Sequence, residues 1–148
     1  MKNNSEATQF SLLSKIWASP NTFLGLLVGL VSLFFGSKAQ KVDGCWEFHS
    51  GLVQWLLQQA PIGSGALAMT LGHCILGQTE SALDITRKHE HVHVRQYGRW
   101  GPFFIPVYFI ASLLAWIKGG NAYRDNVFEV EAYDEASYDS NANSNLDG

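Results

Sequence analysis

The chain has 148 residues, a net charge of −3 and two cysteines, and 13% of its residues are aromatic. Its ten lysines and arginines are scattered along the sequence, which excludes the basic surface that nucleic-acid binding requires. Two cysteines cannot build a disulfide framework. The length fits one domain with flanking segments, and the five tryptophans favour a protein at a membrane interface.

The N-terminal segment, residues 1–36, ends in an apolar run. Pro20 breaks the chain before this run, and Asn21 or Thr22 is expected to cap a helix that continues to Phe35. A helix of this length spans about 21 Å, short of the roughly 30 Å of a bilayer core. The alternative interpretations are a buried helix of a soluble core, which applies equally to the second apolar run at 102–117, and a cleavable signal peptide. Small residues recur on one helix face, as in close helix packing within lipid, at Gly25, Gly29, Ser32 and Gly36.

Short strands are predicted in the next part of the chain. Alternating residues within 38–48 predict two strands joined by a turn at Asp43 and Gly44. The stretch from Ala66 to Gly77 is predicted to form a further strand, and residues 78–81 predict a turn and the start of a helix. We therefore expect a small antiparallel sheet ahead of a helix.

That helix carries the run His89-Glu90-His91-Val92-His93. Because residues four apart share one helix face, His89 and His93 can direct both imidazoles at one metal ion. Glu90 lies one position round the helix, close enough to take a proton from a water molecule. These residue types at this spacing are typical of a hydrolytic zinc site. A histidine-rich surface turn that binds no metal is the alternative.

A catalytic zinc usually takes three protein ligands and leaves one position for water. No histidine or cysteine follows His93, so the third ligand is expected to be a carboxylate. The downstream candidates are Asp125, Glu129, Glu131, Asp134, Glu135, Asp139 and Asp147.

A second apolar run, residues 102–117, lies between the motif and these carboxylates. Its small residues Ala111, Ala115 and Gly119 are four apart and could pack against the small-residue face of the first apolar helix. Beyond Ala132 the chain is acidic and polar, and residues 133–148 are predicted to form a disordered tail.

Glu129 and Ala132 complete a Glu-x-x-Ala pattern downstream of the motif. In this respect the chain resembles the gluzincin metallopeptidases, most of all the minigluzincins and the membrane-bound peptidases of the CAAX prenyl protease and bacterial heat-shock protease types. The resemblance implies that Glu129 is the third zinc ligand, with Glu131 in reserve. Tyr133 stands where the family often has an aspartate that would orient a ligand histidine.

The flanks of the motif also resemble a set of bacterial membrane-associated proteins to which no activity is assigned. The shared features are the stretch from Arg87 to Tyr97, the triplet Trp-Gly-Pro at 100–102, and the stretch from Tyr123 to Glu129. This similarity covers most of residues 20–132 and implies no particular substrate.

The predicted fold is α+β, with a small antiparallel sheet, a zincin motif helix and a ligand helix in a domain of residues 37–132. One or two apolar helices are expected to associate with a membrane, the second of them at 102–117. The resemblance implies zinc-dependent hydrolysis of a peptide or protein substrate at that membrane. The expected zinc ligands are His89, His93 and Glu129, with Glu90 as general base.

Two questions stay open at this point. The residue that stabilises the oxyanion is not identified, and Tyr123, Tyr133 and His91 are candidates without a geometric argument. The alternative function is a non-catalytic membrane adaptor in which the metal stabilises a pair of helices. A structural zinc of that kind would need a fourth protein ligand, and no obvious one is present.

Overall fold

The computed structural model describes residues 12–62 and 65–144, which form six α-helices and four strands. The helices are α1 (Leu12–Trp17), α2 (Ser19–Leu33), α3 (Gly51–Gln58), α4 (Glu80–Trp100), α5 (Phe104–Ile117) and α6 (Val127–Ser144). The strands are β1 (Lys38–Val42), β2 (Cys45–His49), β3 (Ala68–Leu71) and β4 (Cys74–Gly77). A 3-10 turn, Gly101–Phe103, joins α4 to α5. The described chain is therefore α+β, as predicted.

The sheet has the order β1-β2-β4-β3 and is mixed. The prediction of an antiparallel sheet is wrong, because β2 and β4 run parallel, with Trp46 opposite Cys74. Parallel neighbours need a long connection, and here α3 and β3 lie between them in the chain. Residues 66–77 form two strands instead of one. Gly72 turns the chain between them with φ of +64°, and a Cβ there would lie 2.2 Å from the Thr22 hydroxyl oxygen.

Helices cover both faces of the sheet. Successive strand residues point to opposite faces, so neighbours in β4 enter different cores. On the face covered by α2 and α3, Phe48, Cys74 and Leu76 pack with Val53 and Leu57. On the face covered by α4, Ile75 packs with residues of β2 and α4, namely Cys45, Leu83 and Val94.

The small-residue face of α2 packs against the sheet and not against α5. A Cβ on Gly29 would lie 2.4 Å from the ring of Phe48, and one on Gly25 would lie 2.7 Å from the Cβ of Cys74. Ala111 of α5 instead packs in a separate cluster with Phe128 and other aromatic residues. The opposite face of α2 therefore exposes large apolar side chains, among them Phe23, Leu27, Leu30 and Phe34.

The start of α2 also differs from the expected cap. The helix begins at Ser19, with Pro20 in its first turn, where a missing N–H costs no hydrogen bond. Asn21 donates from its side chain to the carbonyl of Gly101, and Thr22 accepts from the backbone N–H of His73. Both residues tie the helix to other segments instead of capping it.

A partly buried ion pair holds α4 on the sheet. Glu47 of β2 is fully buried, and Arg87 of α4 donates to both of its carboxylate oxygens at 2.9 Å. Gln40 adds a third hydrogen bond to Glu47, at 2.7 Å. The helix begins where predicted, with the hydroxyl of Thr79 accepting from the N–H of Ala82. These contacts fix the position of the helix turn that carries the histidine motif.

The acidic C-terminal stretch differs from the prediction. Residues 133–144, predicted as part of a disordered tail, continue α6 in the structure, and residues 145–148 lie outside the described residues. An ion pair between Arg95 of α4 and Glu135 joins this part of α6 to the motif helix. This ion pair is a long-range contact that the composition of the stretch does not indicate.

Candidate metal centre

Three side chains of α4 and α6 converge on one point. The Nε2 atoms of His89 and His93 lie 3.1 Å apart. Glu129 directs one carboxylate oxygen to each histidine, at 3.1 Å from His89 Nε2 and 3.4 Å from His93 Nε2. Ligands at 2.0–2.1 Å from a tetrahedral zinc are separated by roughly 3.3 Å. The donor types and their spacings therefore fit one zinc ion.

The centre also favours a positive charge on electrostatic grounds. Burial alone would raise the pKa of Glu129, but hydrogen bonds from His89 and His93 hold it below its usual range. Burial alone would lower the pKa of His93, yet its hydrogen bond to Glu129 and the nearby charge of Glu90 raise it to about 9. A buried carboxylate beside two imidazoles is stabilised by one cation at this point, either a proton or a metal ion.

Gln96 determines which nitrogen of His93 faces the centre. The amide N of Gln96 has two acceptors, the carbonyl of Phe128 at 3.0 Å and the carboxylate of Glu131 at 2.8 Å. The amide oxygen must then face His93 Nδ1, 2.8 Å away, and accept a hydrogen bond from it. With its proton on Nδ1, His93 presents the lone pair of Nε2 to the centre, as a metal ligand requires.

Glu90 lies beside the centre and is oriented by the edge strand. The hydroxyl of Thr70 in β3 donates to Glu90 Oε2 at 2.6 Å. Glu90 is buried and lines the same cleft as His93 and Glu129. A carboxylate held in this position can accept a proton from a water molecule bound at the centre.

The apolar helix α5 contacts the centre through Tyr108. Its hydroxyl donates to Glu129 Oε1 at 2.6 Å. Asn126, fully buried, donates to the carbonyl of Tyr108 and to the hydroxyl of Ser112, while its own side-chain oxygen accepts from the N–H of Phe128. Asn126 thereby joins α5 to the first turn of α6, three residues before Glu129.

The other candidate residues occupy different places. Glu131 faces Gln96 and Arg99, away from the three converging side chains. The ring of Tyr133 packs on His89 with centroids 4.5 Å apart, and Tyr123 lines the cleft. His91 is buried near Asp43 and Glu47 and does not line the cleft.

The remaining carboxylate candidates have other contacts, are exposed, or lie outside the described residues. Asp125 accepts from the N–H of Asn121, and Glu135 pairs with Arg95. Asp134 is exposed, and the Asp139 side chain and Asp147 lie outside the described residues.

Four residues of the site were not found from the sequence: Thr70, Gln96, Tyr108 and Asn126. A signal existed for Gln96, which lies three positions after His93 and so on the same helix face. Asn126 lies within the stretch similar to the membrane-associated proteins, which could have drawn attention to it. Thr70 and Tyr108 reach the centre through long-range packing alone.

A cleft of about 470 Å³ opens beside the centre, between β3 and α5. Leu67 accepts a hydrogen bond from the N–H of Gln78 across the hairpin, so Ala68 and Thr70 direct their backbone groups away from β4. Within residues 12–62 and 65–144, no strand pairs with that edge. An extended peptide can therefore pair with β3 and pass Glu90.

Comparisons of the chain with protein-family models, with curated proteins and with solved structures find no match. A function for the chain must accordingly be argued from the residues and geometry of the centre itself.

Proposed function

We propose that this chain is a zinc-dependent peptidase that acts at a membrane. The observation that carries the proposal is the convergence of His89, His93 and Glu129 beside Glu90, at one end of a cleft bordered by an open strand edge. Each component has a separate role in peptide hydrolysis, and the resemblance to gluzincins implies the same combination.

Each residue of the centre has its own role in the proposed hydrolysis. Zinc bound to the three ligands would supply a Lewis acid that activates water and polarises the scissile carbonyl. Glu90 takes a proton from the attacking water, whose oxygen joins the carbonyl carbon, and then gives the proton to the leaving nitrogen as the peptide bond breaks. Thr70 orients Glu90, and Gln96 fixes the tautomer of His93. The edge of β3 aligns the substrate by backbone hydrogen bonds.

The competing function is a metal-stabilised adaptor, and one observation favours it: the centre joins two helices, α4 and α6. A structural zinc is closed by four protein ligands. Among the described histidine, cysteine, aspartate and glutamate side chains, only His89, His93 and Glu129 converge in this way, so a zinc ion held by them would keep a position for water. The cleft next to that position and the oriented Glu90 are further features that an adaptor does not need.

The membrane part of the proposal rests on two apolar surfaces. By length and composition the helical stretch Glu80–Ile117 could cross a membrane, and only 17% of its apolar window is buried in the chain. The 3-10 turn divides this stretch, however, and the 14 residues of α5 alone span about 21 Å. With the exposed face of α2, this favours a shallow placement in the bilayer, with a centre reachable from water.

The peptidase proposal is tested with purified full-length chain in detergent, loaded with zinc and assayed on quenched fluorogenic peptides. Glu90→Gln should retain zinc and lose at least about 100-fold in turnover, because an amide cannot accept the proton. Glu80→Gln, the same substitution at an exposed position of α4, is the matched control and should be active. Unaltered turnover in Glu90→Gln contradicts the mechanism. Zinc-loaded wild type that cleaves no peptide supports the adaptor.

Membrane association is tested by flotation with phospholipid vesicles and by carbonate extraction of cells. Leu30→Glu, on the exposed face of α2, should release a large part of the protein from vesicles, since a charge in the apolar region is unfavourable. Ser81→Glu adds the same charge at an exposed position of α4 and should float like the wild type. Wild-type protein recovered wholly in the soluble fraction contradicts the proposal.

A further inference from the structure

The cleft beside the metal centre has apolar walls. One wall comes from the segment before β3 and from β3 itself, where Pro61, Ile62 and Met69 face the cavity. The other comes from α5, with Ile105 and Phe109. A volume of about 470 Å³ accommodates several side chains of a bound ligand.

The charges in the cleft are few and already engaged. Among the described residues that line it, the only acidic groups are Glu90 and Glu129, and no lysine or arginine is present. Glu90 is held by Thr70, and Glu129 by the two histidines and Tyr108. Apart from the metal centre and Glu90 themselves, the described walls hold no cation for a terminal carboxylate and no further carboxylate for a terminal ammonium. The chemistry that recognises either end of a peptide is therefore missing from the walls.

The cleft is continuous with the exposed apolar surface of α5. Phe109 lines the cleft and is also 66% exposed on the outside of the helix. Its neighbours Ile110 and Leu113 are 56% and 53% exposed and extend the same surface. Through Phe109, the lining of the cleft therefore continues into an exposed apolar surface of α5, on which an apolar segment could also lie.

We propose that the cleft takes an uncharged, apolar stretch from the interior of a polypeptide, bound in extended form between β3 and α5. Three features carry the assignment: the open edge of β3, walls without a group for a chain terminus, and the continuity with the apolar surface of α5. The inference rests on the proposed peptidase function and gives it a substrate class, namely internal apolar segments cut away from their ends.

Binding of synthetic peptides tests the inference without requiring turnover. Zinc-loaded Glu90→Gln in detergent is titrated with three labelled ten-residue peptides: an apolar peptide with blocked ends, the same peptide with free ends, and a blocked version with a central lysine. Displacement by unlabelled peptide separates binding from partition into micelles. The blocked and free apolar peptides should bind equally, and the lysine peptide at least ten-fold more weakly. A requirement for a free terminus, or equal binding of the lysine peptide, overturns the inference.

A charge placed in the cleft gives a second test. Met69→Lys should weaken binding of the blocked apolar peptide at least ten-fold, whereas Ile85→Lys, outside the cleft on an exposed position of α4, should not. Equal binding of the peptide by Met69→Lys, Ile85→Lys and the protein without either substitution overturns the inference. Binding of the apolar peptide without cleavage by the wild type would support the inference and contradict the peptidase function. Cleavage only at free or charged ends would support the peptidase function and contradict the inference.

Discussion

Gln96 offers a sharp test of how the metal centre is built, because it touches a ligand without being one. Replacing it with methionine keeps the length of the side chain and removes its three hydrogen bonds. His93 Nδ1 then has no acceptor to hold its proton, and the ring can turn or change tautomer. The backbone carbonyl of Phe128 loses its donor at the same time.

The size of the effect follows from these contacts. Loss of an outer hydrogen bond to a metal-bound histidine typically costs 10–100-fold in metal affinity, or about 1.4–2.7 kcal/mol. One buried carbonyl left without a donor lowers the free energy of unfolding by about 1–3 kcal/mol. Glu131 adds little to this cost, because it keeps its ion pair with Arg99. Gln96→Met should therefore be folded but bind zinc 10–100-fold more weakly.

The assay is a zinc titration against a chelator of known affinity, with circular dichroism to confirm that each variant is folded. Arg99→Gln is the matched control, because it removes the surface ion pair of Glu131 and leaves the contact between Gln96 and His93. It should bind zinc like the wild type. Wild-type zinc affinity in folded Gln96→Met would refute the reasoning that this amide orients His93.

Two further predictions concern the ligand set and the packing of α2. Glu129→Gln should weaken zinc binding severely in the same titration and Glu131→Gln should not, because only Glu129 faces the histidines; the opposite result would move the ligand to Glu131. Gly29→Leu should lower the free energy of unfolding by about 1–3 kcal/mol in urea titration, because its Cβ would meet the ring of Phe48; an unchanged midpoint would mean that α2 does not pack there.

The local parts of this structure could be predicted from the sequence. The β1–β2 hairpin, the start of α4 and the shared face of His89 and His93 follow from turn residues, a capping threonine and helical spacing. Glu129, suggested by resemblance to a known pattern, lies beside the two histidines. Each of these features depends on residues close together in the chain or on a motif of fixed spacing.

The parts that were missed depend on contacts between distant segments. The helix α3 was not predicted. It has only eight residues, so its two buried positions, Val53 and Leu57, are too few to show a helical period. The residues around it alternate as in a strand. The parallel pairing of β2 with β4 is decided by where α3 and β3 lead the chain. Tyr108 approaches Glu129 from 21 positions away, and no local pattern marks it.

The pair of Glu47 and Arg87 has a consequence for how the sequence can change over time. Loss of Arg87 alone would leave the fully buried carboxylate of Glu47 without a cation and cost about 3–5 kcal/mol, a large share of the stability of a small domain. Loss of Glu47 would cost less, because Arg87 is partly exposed and keeps its ion pair with Asp84. Joint replacement of both by apolar residues of similar volume would be close to neutral. Positions 47 and 87 should therefore change together in related sequences. Such correlated substitution would reveal this contact between the sheet and the motif helix even where the histidine motif itself does not change.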